Sequence, residues 1–376
     1  MFYETKKYFG HFGITIGCPY CHGRSKKHGW FRGRRRYRCL SCHRTFERQK
    51  HLPVSWTDFV AFYRLVTGWM NRKQIEANKH LSRATLSIRF RPFFNRPLSA
   101  QETWGVLPPR LSASWVYGVD GKWLKRLGVF LLHRNVTTGE NLYWSFQPSE
   151  SYLAVLLDLT QLVELLTNQL GERNILPLAA ISDWKGAIVA AVAAVFGDIP
   201  HQRCLTHVTR TLKLLLPEAS PLEATLDLRG IALRLIGITN TDEVADWFTR
   251  LTNWYNRWGY LLKVRTKNTD PVTKRKWWYT HGNLRRAWRQ LTHDPKPFFH
   301  HLSCLLLPHS NNSLEGTISQ AAGKLNDHRG MKLDQQVAFL NWHFTFTRVK
   351  TNQDLRKLWA YWRSRKNRRL ATHFFT

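Results

Sequence analysis

The chain has 376 residues, with 57 lysines and arginines against 25 acidic residues, a formal net charge of +32. At 43% hydrophobic and 13% aromatic it can bury a real core, which excludes wholesale disorder, and its length suits two or three domains. The longest unbroken apolar run, Ala187 to Phe196, is far below the ~18 residues of a bilayer span, and no apolar leader opens the sequence.

A membrane-integral protein is therefore excluded, and a cytoplasmic location is expected. A pI near 10.4 on a packed chain carries strong self-repulsion unless a polyanion neutralises it. Nucleic acid is the expected partner, because each Lys or Arg at a phosphate releases condensed counterions.

Four of the six cysteines fall early, as CPYC (Cys18, Cys21) and CLSC (Cys39, Cys42). Their separation lies within the Cys-x2-Cys-x15–20-Cys-x2-Cys window of a zinc site. Two short knuckles offer two thiolates each, and Zn2+ takes four such ligands tetrahedrally. The intervening HGRSKKHGWFRGRRRYR is turn-rich and then alternates aromatic residues with arginine, as a small ribbon hairpin does. Disulfides are the other reading, but no export signal accompanies them. Residues 1–50 are expected to form a zinc ribbon holding one structural Zn2+.

Residues 51–110 read as short helices. Ser55 is a candidate N-cap before WTDFVAFYRLVTGW, with Asp58 at the third helical position, and Ser82 a candidate cap for RATLSIRFRPFF, up to Pro92. Short helices and short turns, the last helix bearing Arg83, Arg89 and Arg91, fit a helix-turn-helix whose final helix enters a major groove. A plain helical linker fits equally well.

From residue 111 to 207 strands take over. VYGVDGKWL, RLGVFLLHRNV and LYWSFQP read as three hairpin-linked strands. A helix (SYLAVLLDLTQLVELLTNQL), a strand (ILPLAAISD), a helix (GAIVAAVAAVF) and a strand (IPHQRCLTH) follow. The expected class is α/β, a mixed sheet flanked by helices in the order of a ribonuclease-H-like fold. Residues 208–308 read as a basic helical insertion, and 309–376 as the last part of the catalytic core with basic C-terminal helices. Trp247, Trp254 and Trp258 have the spacing of one buried helical stripe. The segment Lys274 to Trp278, including Lys274, Arg275 and Lys276, reads as a DNA-contacting turn.

A nuclease or strand-transfer site on such a sheet needs converging carboxylates to hold two Mg2+ ions ~3.5–4 Å apart. Asp120 lies inside an apolar strand, and Asp183 lies where a strand yields to a helix. Each taken alone has a bland alternative, for Asp183 a helix cap. Glu315, at the start of a probable helix in NNSLEGTISQAAGKL, is the candidate third ligand.

VDG, ISDWKGAI, CLTH, NNSLEG and LNDHRG, in this order, resemble the Mutator-like group of DDE transposases of bacterial and archaeal insertion sequences that carry an N-terminal zinc ribbon. The resemblance spans about Cys18 to His343. It implies that Asp120, Asp183 and Glu315 are the catalytic residues and bind two Mg2+ ions, with Mn2+ as a substitute. It also matches Asn311 and Asn312 to an Asn run before the glutamate, taken here as DNA-binding. The family's Cys-x2-His matches Cys204 and His207; two ligands make an incomplete zinc shell, so they are read as near-site DNA or structural contacts, with core packing equally open.

One departure is Trp184, where relatives often carry Gly after the second aspartate. The expected partners are double-stranded DNA, as element ends and target, and a second copy of the chain, since two ends must be processed together. The expected location becomes nucleoid-associated. A transposase-derived DNA-binding regulator without catalysis, or a structure-specific nuclease, are the alternatives.

Overall fold

The structure is a computed structural model and describes residues 17–21, 23–31, 33–47, 54–112, 114–171, 176–269, 276–328 and 330–365. The chain divides into two compact units, Met1–Ser55 and Trp56–Thr376.

In the first unit, strands β1 (Ser25–Phe31), β2 (Arg34–Cys39) and β3 (Thr45–Glu47) form an antiparallel sheet in that order. Gly33 turns the chain between β1 and β2 at φ +70°, a left-handed backbone that favours glycine. The buried cluster is small: Cys18, Cys39 and Phe46, with Tyr37 and Cys42 packed against it. Tyr37 and Phe46 pair across β2 and β3 and stack at 5.8 Å.

The second unit opens with α1 (Trp56–Thr67), α2 (Arg72–Lys79), α3 (Arg83–Asn95) and α4 (Ala100–Val106). Asn71 and Gln74 form a capping box on α2, which ends at His80 in a left-handed conformation. Ser82 caps α3 by accepting the Thr85 N–H. The sequence suggested a stop at Pro92, yet α3 runs on to Asn95. Fully buried Phe93 explains this, since it packs on Phe59, Phe62, Trp342 and Trp362.

The central sheet follows: β4 (Val116–Leu124), β5 (Gly128–Asn135), β6 (Glu140–Gln147), then α5 (Tyr152–Leu170), β7 (Ala179–Ser182), α6 (Gly186–Phe196) and β8 (His201–Arg203). The strand order is β6-β5-β4-β7-β8. Hairpins join β4, β5 and β6 antiparallel, whereas β7 pairs parallel to both β4 and β8. This is a mixed α/β sheet. Helix α5 is long and apolar enough to cross a membrane by length and composition. No unbroken apolar run marks it in the sequence, because Asp158, Thr160, Gln161 and Glu164 interrupt it. In this fold Val155, Leu159, Leu162 and Leu166 are fully buried in the sheet's core cluster.

Helices α7 (Leu205–Leu215), α8 (Glu223–Arg234) and α9 (Thr241–Trp258), the short pair β9 (Arg265–Lys267) and β10 (Trp277–Tyr279), and α10 (Gly282–Thr292) come next. The four helices share a separate apolar cluster that extends to Phe298. Trp247 and Trp254 are buried there, and Trp258 is partly buried with its indole N–H on Asp227. Helices α11 (Asn312–Asn326), α12 (Leu333–Thr347) and α13 (Asn352–Ser364) close the chain. Leu314, Ile318 and Ala321 of α11 and Leu340 and Phe344 of α12 complete the sheet's core.

Residues 56–107 do not stand apart from this unit. Phe59 and Phe62 meet Trp342 and Phe346 edge-on, and Trp359 packs on Trp56 and Phe59. Buried Arg348 donates to the carbonyls of Leu107, Asn141 and Leu142, linking α4, the sheet and α12.

Candidate active site and cysteine cluster

In the first unit, the Sγ atoms of Cys18, Cys21, Cys39 and Cys42 all lie within 4.8 Å of one another. Cys18 and Cys42 are 3.6 Å apart and Cys21 and Cys39 3.3 Å, far beyond a disulfide bond of ~2.05 Å. A tetrahedral shell with metal–sulfur bonds of ~2.3 Å has edges of about 3.8 Å, so the four thiols are close enough to bind one metal ion. The Tyr20 N–H points at Cys18 Sγ, and the Ser41 and Cys42 N–H groups at Cys39 Sγ. Such bonds favour thiolate. The Cys42 N–H, with help from Cys21 and Ser41, draws the Cys39 thiol down to about 6.

In the second unit the parallel pairing of β4 with β7 sets Gly118 opposite Ile181. Two residues further along β4 stands Asp120, and Asp183 follows directly on the last residue of β7, near enough for its charge to act on the Asp120 carboxyl. Helix α11 packs on β4. A Cβ at Gly118 would lie 2.5 Å from Val136 and 3.3 Å from Asn311 Oδ1, so glycine is needed chiefly to make room for Val136. The Asn311 side chain donates to the Val119 carbonyl at 3.3 Å, pinning the helix start to the middle of β4. Glu315 follows in the first turn of the helix.

The three acidic residues are close enough for the charges of Asp183 and Glu315 to act on the Asp120 carboxyl. Asp120 is 9% exposed. Burial pushes its carboxyl up from 3.8 to about 6, against the Gly121 N–H and His207, while the charges of Asp183 and Glu315 raise it further. Asp183 is not the N-cap of α6, a position that Lys185 takes; its Oδ1 instead accepts the Lys185 N–H at 3.3 Å. Trp184, between them, sits at φ +69°. Here the chain places a bulky residue in a conformation that favours glycine, and its ring packs against His201.

Glu315 is held from α7. His207 Nδ1 lies 3.1 Å from Oε1, and Arg210 donates to Oε2 at 2.9 Å. Cys204 is the N-cap of α7, so Cys204 and His207 belong to a helix start rather than to the expected strand. The Cys204 side chain, with Glu315 and Asp120, holds the His207 imidazole above its usual value despite burial.

Two site residues were not legible in the sequence. Glu150, between β6 and α5, has a side chain only 5% exposed, and its Oε1 has no hydrogen-bond partner. That oxygen lies 3.2 Å from where a Cβ on Gly121 would sit, beside Asp120. Burial pushes the Glu150 carboxyl up, and only Lys185 and His207 oppose this. Lys185 Nζ bridges Glu150 Oε2 and Asp183 Oδ2, the latter at 2.9 Å. Burial works against its charge, yet these two contacts hold the ammonium above its ordinary value. The only available signal was an acidic residue just beyond a strand end, in QPSES.

Other candidate contacts fall differently. Asn311 is 1% exposed, with its N–H on Cys204 Sγ and its amide on Val119, so it positions α11 and does not present a surface to DNA. Asn312 is exposed and accepts from Thr206. Arg89 is half-buried and ion-paired with buried Asp58, whereas Arg83 and Arg91 are exposed on α3. Asp58 therefore serves as a buried ion-pair partner for Arg89 and Lys79. Lys276, Trp277 and Trp278 are exposed at the β10 end of the hairpin; Lys274 and Arg275 lie outside the described residues. No protein-family model matches this chain, and no curated protein matches it either.

Proposed function

We propose that the chain is a DDE-type DNA transposase that binds the terminal repeats of its own insertion sequence, cuts DNA strands hydrolytically and joins the 3′-hydroxyl ends to target DNA. The observation that carries this reading is the gathering of Asp120, Asp183 and Glu315, with the charges of the latter two acting on the Asp120 carboxyl. The strand order, with β5 alone antiparallel to the other four, supports a ribonuclease-H-like fold. The helical segment between β8 and α11, with its own apolar cluster, suits an insertion domain.

The donor set fits a hard cation. Asp120 and Glu150 are carboxylates burdened by burial, and Glu150 Oε1 is orphaned, so a divalent ion would relieve both. Two Mg2+ ions, or Mn2+, held by Asp120, Asp183 and Glu315 would supply activation of the attacking oxygen and neutralisation of charge on the phosphate. The chain's own residues do the rest. Asn311 fixes the first turn of α11, and Arg210 orients Glu315 through Oε2. Lys185, about half-exposed beside Asp183, is placed to meet a phosphate oxygen. No protein nucleophile is required, because water and then a 3′-hydroxyl attack phosphorus.

Recognition is assigned to the first unit, as a zinc ribbon with one structural Zn2+, and to α2–α3. The tight turn between those helices and the exposed Arg83 and Arg91 suit a helix-turn-helix in a major groove. Processing two ends calls for at least two copies on double-stranded DNA.

The test is cleavage of duplex DNA carrying the element's ends in Mg2+. The wild type should release 3′-hydroxyl ends and join them to a second duplex, and Asp120→Asn, Asp183→Asn and Glu315→Gln should each abolish both steps while still binding. End-specific binding without cleavage would favour the regulator reading. Cleavage of branched DNA without end preference would favour a structure-specific nuclease.

A further inference from the structure

The three donors around the start of α7 make a second metal-ligating group, of a different chemical kind from the carboxylates. Cys204, His207 and Glu315 each offer one donor atom, and the three atoms all lie within 4.8 Å of one another. Sγ is 4.0 Å from Oε1, and Nδ1 is 3.1 Å from Oε1. In a tetrahedral zinc shell, bonds of ~2.0–2.3 Å put neighbouring donors about 3.3–3.8 Å apart, so the trio needs little adjustment to share one ion.

The surroundings are prepared for it. Cys204 is fully buried, and its Sγ accepts the Asn311 N–H at 3.2 Å. It also stands at the N-cap of α7. His207 Nδ1 is buried and makes no hydrogen bond of good geometry, although it faces both other donors. Arg210 occupies Oε2 of Glu315, leaving Oε1 turned toward the cysteine and histidine. One sulfur, one imidazole nitrogen and one carboxylate oxygen make three of the four donors of a tetrahedral zinc shell and leave a fourth position open.

We infer that Cys204, His207 and Glu315 form a binding site for a thiophilic divalent cation of the zinc class, distinct from the cysteine cluster of the first unit. Sulfur and imidazole donors select Zn2+ or Co2+ over Mg2+, so excess Mg2+ does not displace the ion. The inference needs only these donors and does not depend on the DNA-cleaving reading. It adds that Glu315 Oε1 is contested, since a soft ion here takes an oxygen that the carboxylate site would use.

The experiment is metal analysis of the full chain, reduced, loaded with Zn2+, and passed through a desalting column in excess Mg2+. The wild type should carry two zinc ions per chain. Cys204→Ala and His207→Gln should each carry one, and Cys39→Ser should retain the Cys204 ion. The His207 side chain is 26% exposed, so His207→Gln decides the matter if Cys204→Ala does not fold. Loading with Co2+ gives a second readout, because the thiolate-to-cobalt absorption of the His207→Gln protein should lose its one-sulfur component. Zinc content in His207→Gln equal to the wild type would overturn the site. So would a Cys39→Ser protein that carries no zinc.

Discussion

Asp120→Asn tests how far burial has burdened the site with charge. A carboxyl raised from 3.8 to about 6 represents about 3 kcal/mol of unfavourable interaction of its charged form, at about 1.4 kcal/mol per tenfold. The amide keeps the shape and can still accept the Gly121 N–H, which now reaches Oδ1 at 2.8 Å. The sign follows from the raised value. Below pH ~4 the folded and unfolded chains both carry the proton, and Asp and Asn should be equally stable. From about 4 to 6 only the folded chain keeps it, so wild-type stability falls as pH rises. Above about 6 the full difference stands, and the Asn protein should be more stable by up to about 3 kcal/mol. Urea unfolding followed by tryptophan fluorescence, in Mg2+-free buffer at pH 4.5 and 8, measures this. Mg2+ should then narrow the gap at pH 8 by stabilising the wild type alone. An Asn variant no more stable than the wild type at pH 8 would refute the argument that Asp120 is an uncompensated buried charge.

Three other outcomes are expected. Glu150→Gln should leave unfolding unchanged within about 1 kcal/mol but lower Mg2+-dependent cleavage at least tenfold, with a higher Mg2+ concentration needed for half-maximal rate; an unaltered Mg2+ titration would place Glu150 outside the site. Removing zinc from the first unit with a chelator should unfold residues 17–47, seen as a loss of amide-exchange protection there, while Trp56 onward stays protected; protection surviving in both would mean the ribbon needs no metal. Replacing Lys274, Arg275 and Lys276 with alanine should weaken DNA binding and flatten its salt dependence by about 0.9 in slope for each phosphate no longer neutralised, checked by titrations across a salt series. An unchanged slope would make the turn a solvated surface.

Much of the local structure was already written in the sequence. The segment VYGVDGKWL is β4 residue for residue, and GAIVAAVAAVF is α6, because alternation and apolar runs bounded by turn residues are local signals. Ser82 before α3 and the spacing of the four cysteines are local in the same sense. Asp120 and Asp183 also stood out alone, as charges in apolar or strand-end settings. Pairing across long separations was not local and could not be read. The pairing of β4 with β7 brings the chain around Asp183 beside Asp120, and Asn311, reaching Val119, brings Glu315 to them. The same holds for Glu150, whose role comes from the neighbour that folding gives it. Asn311, taken with Asn312 as DNA-binding, is buried, and Arg89, taken as a DNA contact, is ion-paired with Asp58. Periodicity fixes which side of an element faces inward; only packing decides which partner a side chain meets there, and so whether a charge is a ligand, a strut or a free surface.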